Sequence, residues 1–383
     1  MTLLAVDHVG LSVGDAVQAA HYFRSAYGFH IEAETGPGAG PDGTRSFVLR
    51  HGDVRLVVTS SLNGNGPTAD FVRRHGDGVR DVAFSSTDAV GDFERAVAAG
   101  AEAVQEPVVH EDESGRVTVA VIGTDSDLVH SLVQRDNPDG SFLPGVHRPV
   151  PHQDGSAGPA GDATAHHLHT VDHLALCLRP DTLDRSVSFY ERALGLRHTY
   201  DETIVVGGQT MNSKVVQNDS RRITFTMVEP RTDGPRGQLH DFLDNFDGPG
   251  VQHIAFGTDA IADAVRALAV RGVDFLSTPS AYYTALAERG IDVGMETETL
   301  RELSLLVDRD DWGHLIQIFT RSPYARRTLF FELIQRVEAR TFGSGNIKAL
   351  YEAVERERER TRTGVDETGT DTATPALAGT AQA

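Results

Sequence analysis

The sequence predicts an α+β protein of two tandem domains, each made of two modules with one strand, one helix and several further strands. Three observations carry this reading. Residues 6–13, VDHVGLSV, recur as VDHLALCL at 171–178. The helix-like stretches that follow also match, YFRSAYGF at 22–29 against FYERALGL at 189–196. Further on, GVRDVAFSSTDAVGDFERAVAAGAEAV (78–104) parallels GVQHIAFGTDAIADAVRALAVRGVDFL (250–276). The matches keep their order at offsets of about 170 residues, which marks a tandem duplication.

A finer repeat lies inside each half. Short strands begin alike at DHVGLSV (7), RDVAFSS (80), DHLALCL (172) and QHIAFGT (252), and each precedes an amphipathic helix. In the last of these helices Ile261, Val265, Leu268 and Ala269 keep helical spacing. β-rich runs follow, such as SFVLRHGDVRLVVTS (46–60) and RRITFTMVEP (221–230). LVQR (132–135) matches LIQR (333–336) at a larger offset, which predicts an insertion in the second half. The first domain therefore covers 1–143. Residues 144–169, rich in Pro, Gly, Ala and His, read as a linker. It holds five of the 17 histidines, but without the regular spacing of a metal-binding tract. The second domain covers 170–361. At its end, SGNIKALYEAVERERER (344–360) places Ile347, Leu350, Tyr351 and Val354 on one face of a helix. Residues 362–383 have few large apolar side chains and read as a disordered tail.

Composition excludes several classes. The 383 residues carry 35 Lys+Arg against 55 Asp+Glu, a formal net charge of -20. That field repels phosphate backbones and argues against nucleic-acid or anionic-membrane partners. The single cysteine, Cys177, excludes an intrachain disulfide and any cysteine-based zinc cluster. No apolar run is long enough to span a bilayer. The start, MTLLAVDHVG, reads as a strand without a basic leader region. The expectation is a cytoplasmic protein, and a homo-oligomer is compatible with it.

Three residues point to a metal. His173 sits in a strand and shares a face with Ala175 and Cys177, while His253, at the matching place in the last module, shares one with Val251 and Ala255. Small neighbours leave room between these faces. Glu332 lies inside TLFFELIQ (328–335), where a buried carboxylate costs several kcal/mol (roughly) unless paired or metal-bound. Two histidines and one carboxylate match the facial triad of non-haem Fe(II) oxygenases, which leaves positions open for substrate and O₂. The alternatives are two core histidines bonded to backbone, and an arginine partner for Glu332 from Arg326 or Arg336. Opposite the trio, the first half has His8, Asp81 and Ser131, a degraded set. Cys177 reads as a small core residue.

These residues resemble the 4-hydroxyphenylpyruvate dioxygenase family, whose fold is the vicinal oxygen chelate fold of βαβββ modules. The resemblance covers about residues 1–360 and is strongest in GPGVQHIAF (248–256), GHLIQIFT (313–320), RTLFFELIQR (327–336) and FGSGNIKALYEAVERE (342–357). It implies Fe(II) held by His173, His253 and Glu332, O₂, and a 2-oxo acid substrate that carries its own reductant. It also implies Ser213, Gln252 and Gln317 around the substrate, Phe331 and Phe342 as walls for its ring, and a C-terminal lid with Asn346 and Ile347. Strand alternation sets Gln252 opposite His253, which leaves its role the least direct.

The family divides by product. The branch that forms homogentisate usually has Pro-Ile-Asn-Glu-Pro where this chain has TMVEP (226–230), and Gly-Asn-Phe where this chain has Gly345-Asn346-Ile347. Thr226, Val228 and Ile347 therefore resemble the branch that hydroxylates the benzylic carbon, as does IVVGGQTMNSKVVQ (204–217). The resemblance thus implies a 4-hydroxymandelate-forming enzyme. The competing readings are a homogentisate-forming enzyme, an extradiol ring-cleaving dioxygenase, and a metal-free ligand-binding protein built from the same modules.

Overall fold

The computed structural model describes residues 1–36, 43–151, 167–206, 209–288, 293–343, 345–346 and 348–349. The first half runs β1 (Leu3–Ser12), α1 (Ala16–Tyr27), β2 (His30–Glu34), β3 (Thr44–His51), β4 (Val54–Ser61) and α2 (Gly66–His75). Its second module follows with β5 (Gly78–Ser86), α3 (Ala89–Ala98), β6 (Glu102–Asp112), β7 (Gly115–Gly123) and β8 (Val129–Arg135). A short β9 (Arg148–Pro149) from the expected linker pairs with β2.

The second half repeats the order: β10 (Thr170–Cys177), α4 (Leu183–Leu194), β11 (Arg197–Val206), β12 (Gln209–Gln217), β13 (Thr224–Pro230) and α5 (Gln238–Phe246). Then come β14 (Gly250–Gly257), α6 (Ile261–Val270), α7 (Ser280–Glu288), α8 (Thr297–Glu302), β15 (Leu306–Arg309), β16 (His314–Phe319) and β17 (Phe330–Val337). Helices α7 and α8 are the insertion that the larger offset of LIQR predicts. No helix among the described residues is long and apolar enough to cross a membrane.

The strands form two sheets, one per half, ordered β6-β7-β8-β5-β1-β4-β3-β2-β9 and β11-β12-β13-β10-β14-β17-β16-β15. In each, the first strands of the two modules pair antiparallel at the centre, β1 with β5 and β10 with β14. Side chains from β11 and from β16 line one pocket. In a flat sheet those strands would stand about 29 Å apart, so the second sheet curls around the pocket.

The matched helices explain the matched sequences. Gly28 ends α1 and Gly195 ends α4, both in the left-handed region at φ 75° and 66°, where a Cβ is disfavoured. Asp15 caps α1 by accepting from the Val17 and Gln18 amides, whereas α4 borrows Glu229, which accepts from Thr182 and Leu183. Helix α6 buries Ile261, Ala264, Val265 and Leu268; Ala264, not the exposed Ala269, completes the stripe. The helical faces of both halves share one core. Phe23 and Tyr27 of α1 meet Phe331 of β17 edge-on, with ring centroids 5.7 and 5.3 Å away. In the same interface the Tyr190 hydroxyl donates to His130 Nε2 at 3.0 Å.

Two expectations from the C-terminal region, the helix through 344–360 and the disordered tail at 362–383, fall largely or wholly outside the described residues. So do Ile347 and the middle of the linker. The ends of the linker are ordered, with His147 and Leu168 both buried.

Candidate metal centre

The three candidate ligands stand on the three central strands of the second sheet. β10 carries His173, its antiparallel neighbour β14 carries His253, and β17, parallel to β14, carries Glu332. Their ligand atoms form a near-equilateral triangle. His173 Nε2 and His253 Nε2 are 3.4 Å apart, and each lies 3.4 Å from Glu332 Oε2. A triangle of that edge seats a cation at ordinary metal–nitrogen and metal–oxygen distances, about 2.0–2.2 Å. All three residues are buried. Among the described residues no other three His, Cys, Asp or Glu side chains gather so closely.

The partners of these groups decide between a metal and the simpler readings. Glu332 Oε1 and His253 Nδ1 are buried without a hydrogen-bond partner among the described residues. A native core rarely leaves a carboxylate oxygen in that state. Neither arginine offered as a partner for Glu332 reaches it. Arg336 is bound to Asp172 at 2.7 and 2.9 Å, and Arg326 donates to the Arg74 carbonyl. The donor set therefore fits a cation better than a core ion pair.

A half-buried brace orients the first candidate ligand. His173 Nδ1 donates to Asp172 Oδ1 at 2.8 Å, and Arg336 grips both oxygens of Asp172. This fixes the tautomer that turns Nε2 toward the triangle. Phe342 closes the brace, its ring 5.1 Å from the His173 ring and 5.0 Å below the Arg336 guanidinium. Without a cation, the charges share protons. Burial opposes charge on His173, but Glu332 and Asp172 outweigh it and raise the imidazole to about 9. Burial, with His173 beside it, pushes His253 down despite Glu332. Burial would raise Glu332, yet the two histidines hold it below the usual carboxylate range. A bound metal would take the place of that proton.

The pocket beside the triangle spans the curled sheet. His173 and Ala175 line it from β10, Gln252 and His253 from β14, Glu332 from β17, and Gln317 and Phe319 from β16. Thr226 and Val228 add β13, Ser213 and Val215 add β12, Tyr200 and Glu202 add β11, and Phe342 also lines it.

Four placements correct the sequence reading. Gln252 lines the pocket beside His253 instead of facing away. Ala175 pairs with His253 and Leu176 with Val251, so Gln252 is the extra residue of a β-bulge and two consecutive side chains point the same way. The bulge also turns Val251 into the core, off the face of His253. Phe331 does not wall the pocket. It is fully buried on the opposite face of β17, stacked on Phe256 with centroids 5.7 Å apart. Phe319 is the second aromatic wall, 6.0 Å from the His253 ring. Asn346 stands behind the pocket, where its amide donates to Gln317 Oε1 at 3.1 Å and its oxygen accepts from the Tyr282 hydroxyl.

Tyr200, Glu202, Val215, Phe319 and the Asp172–Arg336 brace were missed by sequence reasoning. The repeat held a signal for the brace, because both DH strands and both LxQR strands carry it. The edge strand β11 held none, since its residues are mostly polar on both faces.

Known proteins bear on this geometry. The family model described as Glyoxalase/Bleomycin resistance protein/Dioxygenase superfamily matches residues 5–140 and 168–318, one match per half. A 4-hydroxyphenylpyruvate dioxygenase from Dictyostelium discoideum is 36% identical over 363 residues, covering 92% of this chain and 98% of its own. One from Danio rerio is also 36% identical, covering 93% and 91%. Among solved structures, a triple mutant of 4-hydroxymandelate synthase from Streptomyces coelicolor is 43% identical with a TM-score of 0.84, covering 94% of this chain and all of that one. The fold expected from the repeats is thus the fold these proteins share, and the chain belongs to the 4-hydroxyphenylpyruvate dioxygenase family within that superfamily.

Proposed function

We propose that the protein is an Fe(II)-dependent dioxygenase that converts 4-hydroxyphenylpyruvate and O₂ to 4-hydroxymandelate and CO₂. The observation that carries this reading is one pocket in which the three-ligand triangle shares its wall with Thr226 and Val228. Those are two of the three positions where the chain departs from the homogentisate-forming pattern. The likeness to the 4-hydroxymandelate synthase supports the same branch.

His173, His253 and Glu332 would hold Fe(II). When bound, the ion supplies the redox chemistry that couples O₂ to a 2-oxo acid, with one oxygen atom entering the new carboxylate and the other the benzylic C–H. The protein binds, orients and excludes water. Gln252, Gln317 and Ser213 contribute the polar contacts, and Asn346 keeps the Gln317 amide turned. Phe319 and Phe342 confine the ring. Thr226 and Val228 set the volume on β13, and Ile347 is, by resemblance, the third position that steers product choice. Barriers that differ by about 1.4 kcal/mol already give tenfold selectivity between two carbons, so a few side chains suffice to choose the product. Residues 170–361 form the catalytic domain, and residues 1–143 a scaffold with a degraded copy of the site. The enzyme works in the cytoplasm on dissolved substrate, without nucleic-acid or membrane partners.

A second reading, ring hydroxylation to homogentisate, is favoured by the names of the curated relatives. One experiment separates the two. The protein is incubated with Fe(II), O₂ and 4-hydroxyphenylpyruvate, and the products are identified by mass and retention. 4-Hydroxymandelate is the expected product, and Ile347→Phe moves part of the flux to ring-hydroxylated products. Homogentisate as the sole product of the unmodified protein overturns the branch assignment.

A further inference from the structure

The pocket has two polar ends. One is the ligand triangle. The other is the edge strand β11, where Tyr200 and Glu202 line the pocket while Asp201 and Thr203 between and beyond them face solvent. The pairing register ties the two ends together. Tyr200 lies across from Val215, Val215 from Thr226, Thr226 from Ala175, and Ala175 from His253. Glu202 starts the next rung, across from Ser213, which lies across from Val228. The Tyr200 hydroxyl donates to Glu202 Oε2 at 3.5 Å. Between the ends the wall is mixed: Ala175, Val215, Val228, Phe319 and Phe342 are apolar, and Ser213, Thr226, Gln252 and Gln317 are uncharged polar groups. Among the described residues, Glu202 is thus the one acidic side chain lining the pocket away from the triangle.

This arrangement sorts a ligand by charge. An anionic acid group is drawn to a cation at the triangle and repelled by Glu202. A neutral O–H donor at the far end of an apolar ring is suited to a carboxylate acceptor. We propose that Glu202, positioned by Tyr200, accepts the hydrogen bond of the substrate's para-hydroxyl and so selects the hydroxylated aryl 2-oxo acid over its unsubstituted analogue. The proposal rests on the reading that an aryl 2-oxo acid binds with its acid end at the metal.

The test is binding without turnover. Dissociation constants of 4-hydroxyphenylpyruvate and phenylpyruvate are measured by calorimetry on the Fe(II)-loaded protein without O₂. The unmodified protein is expected to favour the hydroxylated ligand by about 10- to 100-fold, the range for a hydrogen bond to a charged group. Glu202→Leu should bring that ratio near one. Glu202→Gln, which keeps shape and an acceptor oxygen, should reduce it less, and decides the matter if the leucine variant does not fold. Asp201→Asn, on the outer face of the same strand, should keep the full ratio. An unchanged ratio in the Glu202 variants overturns the proposal, as does absence of binding by either ligand. A Glu202-dependent ratio with a product other than 4-hydroxymandelate overturns only the reaction assigned above.

Discussion

The two sheets carry the same brace around different centres. In the first, His8 Nδ1 donates to Asp7 at 2.7 Å, Arg135 holds Asp7 at 3.0 and 3.1 Å, and the Phe142 ring lies 5.1 Å from His8. In the second, Asp172, His173, Arg336 and Phe342 repeat this with nearly the same distances. Gln134 and Gln335 likewise cap the helices α3 and α6 alike, accepting from Ala89 and Ile261. The ligand positions have diverged. Register places Gly10, Asp81 and Ser131 where the second sheet has Ala175, His253 and Glu332. Asp81 accepts from the Ser131 amide at 3.0 Å and its hydroxyl at 2.6 Å, so both carboxylate oxygens are satisfied within the sheet. Ala33, Val48, Val57 and Phe142 pack together there, and Ser46 donates to His147 at 2.7 Å. The brace is a folding device, because breaking a partly buried charge-assisted pair removes hydrogen bonds from a carboxylate with little access to water. The candidate ligands have no such duty, and in the first half the places of His253 and Glu332 are taken by a pair that satisfies itself.

The largest test of this contrast is activity. Glu332→Ala should lower kcat/KM by at least about 1000-fold, because two histidines leave a divalent cation under-neutralised and its site open. Ser131→Ala, at the matching place, should cost less than about tenfold, since it loses one hydrogen bond far from substrate. Comparable losses in steady-state assays would erase the distinction between the halves.

The brace itself gives a paired prediction. Arg336→Met and Arg135→Met each leave a partly buried aspartate with only its histidine partner and should each lower unfolding stability by about 1.5–3 kcal/mol in urea titrations. Only Arg336→Met should also weaken metal binding, by about 10- to 100-fold, through the misoriented His173. An equal effect of Arg135→Met on metal affinity would mean that the first half contributes to the site.

A smaller difference is acid sensitivity. His130 in β8 occupies the place of Phe331 in β17, and burial pushes it down to about 4. The folded state then binds fewer protons than the unfolded chain between about pH 6.5 and 4, so stability falls as pH falls through that window, by at most about 3 kcal/mol. His130→Phe, which copies the second half, should flatten that slope in denaturation curves from pH 7 to 4. It should also lose about 1–3 kcal/mol at neutral pH, because Tyr190 and the Val82 carbonyl lose their partner. A slope that stays steep would place the acid sensitivity elsewhere.

Much of this was legible in the residues because the duplication supplies an internal control. Repeated strands mark both sheet centres, and a lone carboxylate in TLFFELIQ marks Glu332, since a buried charge needs a reason. What failed were positions that depend on departures from regular geometry. Gln252 reaches the pocket through a bulge that strict alternation does not contain. Phe331, assigned to the pocket by resemblance, sits next to Glu332 on a regular strand, so alternation turns it into the core. Tyr200 and Glu202 stand on an edge strand with no apolar period to set its register. Arg336 and Asp172 are 164 residues apart, and only the folded sheet brings them together.

The most direct measurement is a calorimetric titration of Fe(II), without O₂, into the unmodified protein, Glu332→Ala and Asp81→Ala. One site per chain is expected, lost or severely weakened in Glu332→Ala and retained in Asp81→Ala. Two sites per chain, or a site that survives Glu332→Ala and disappears with Asp81→Ala, would contradict that expectation.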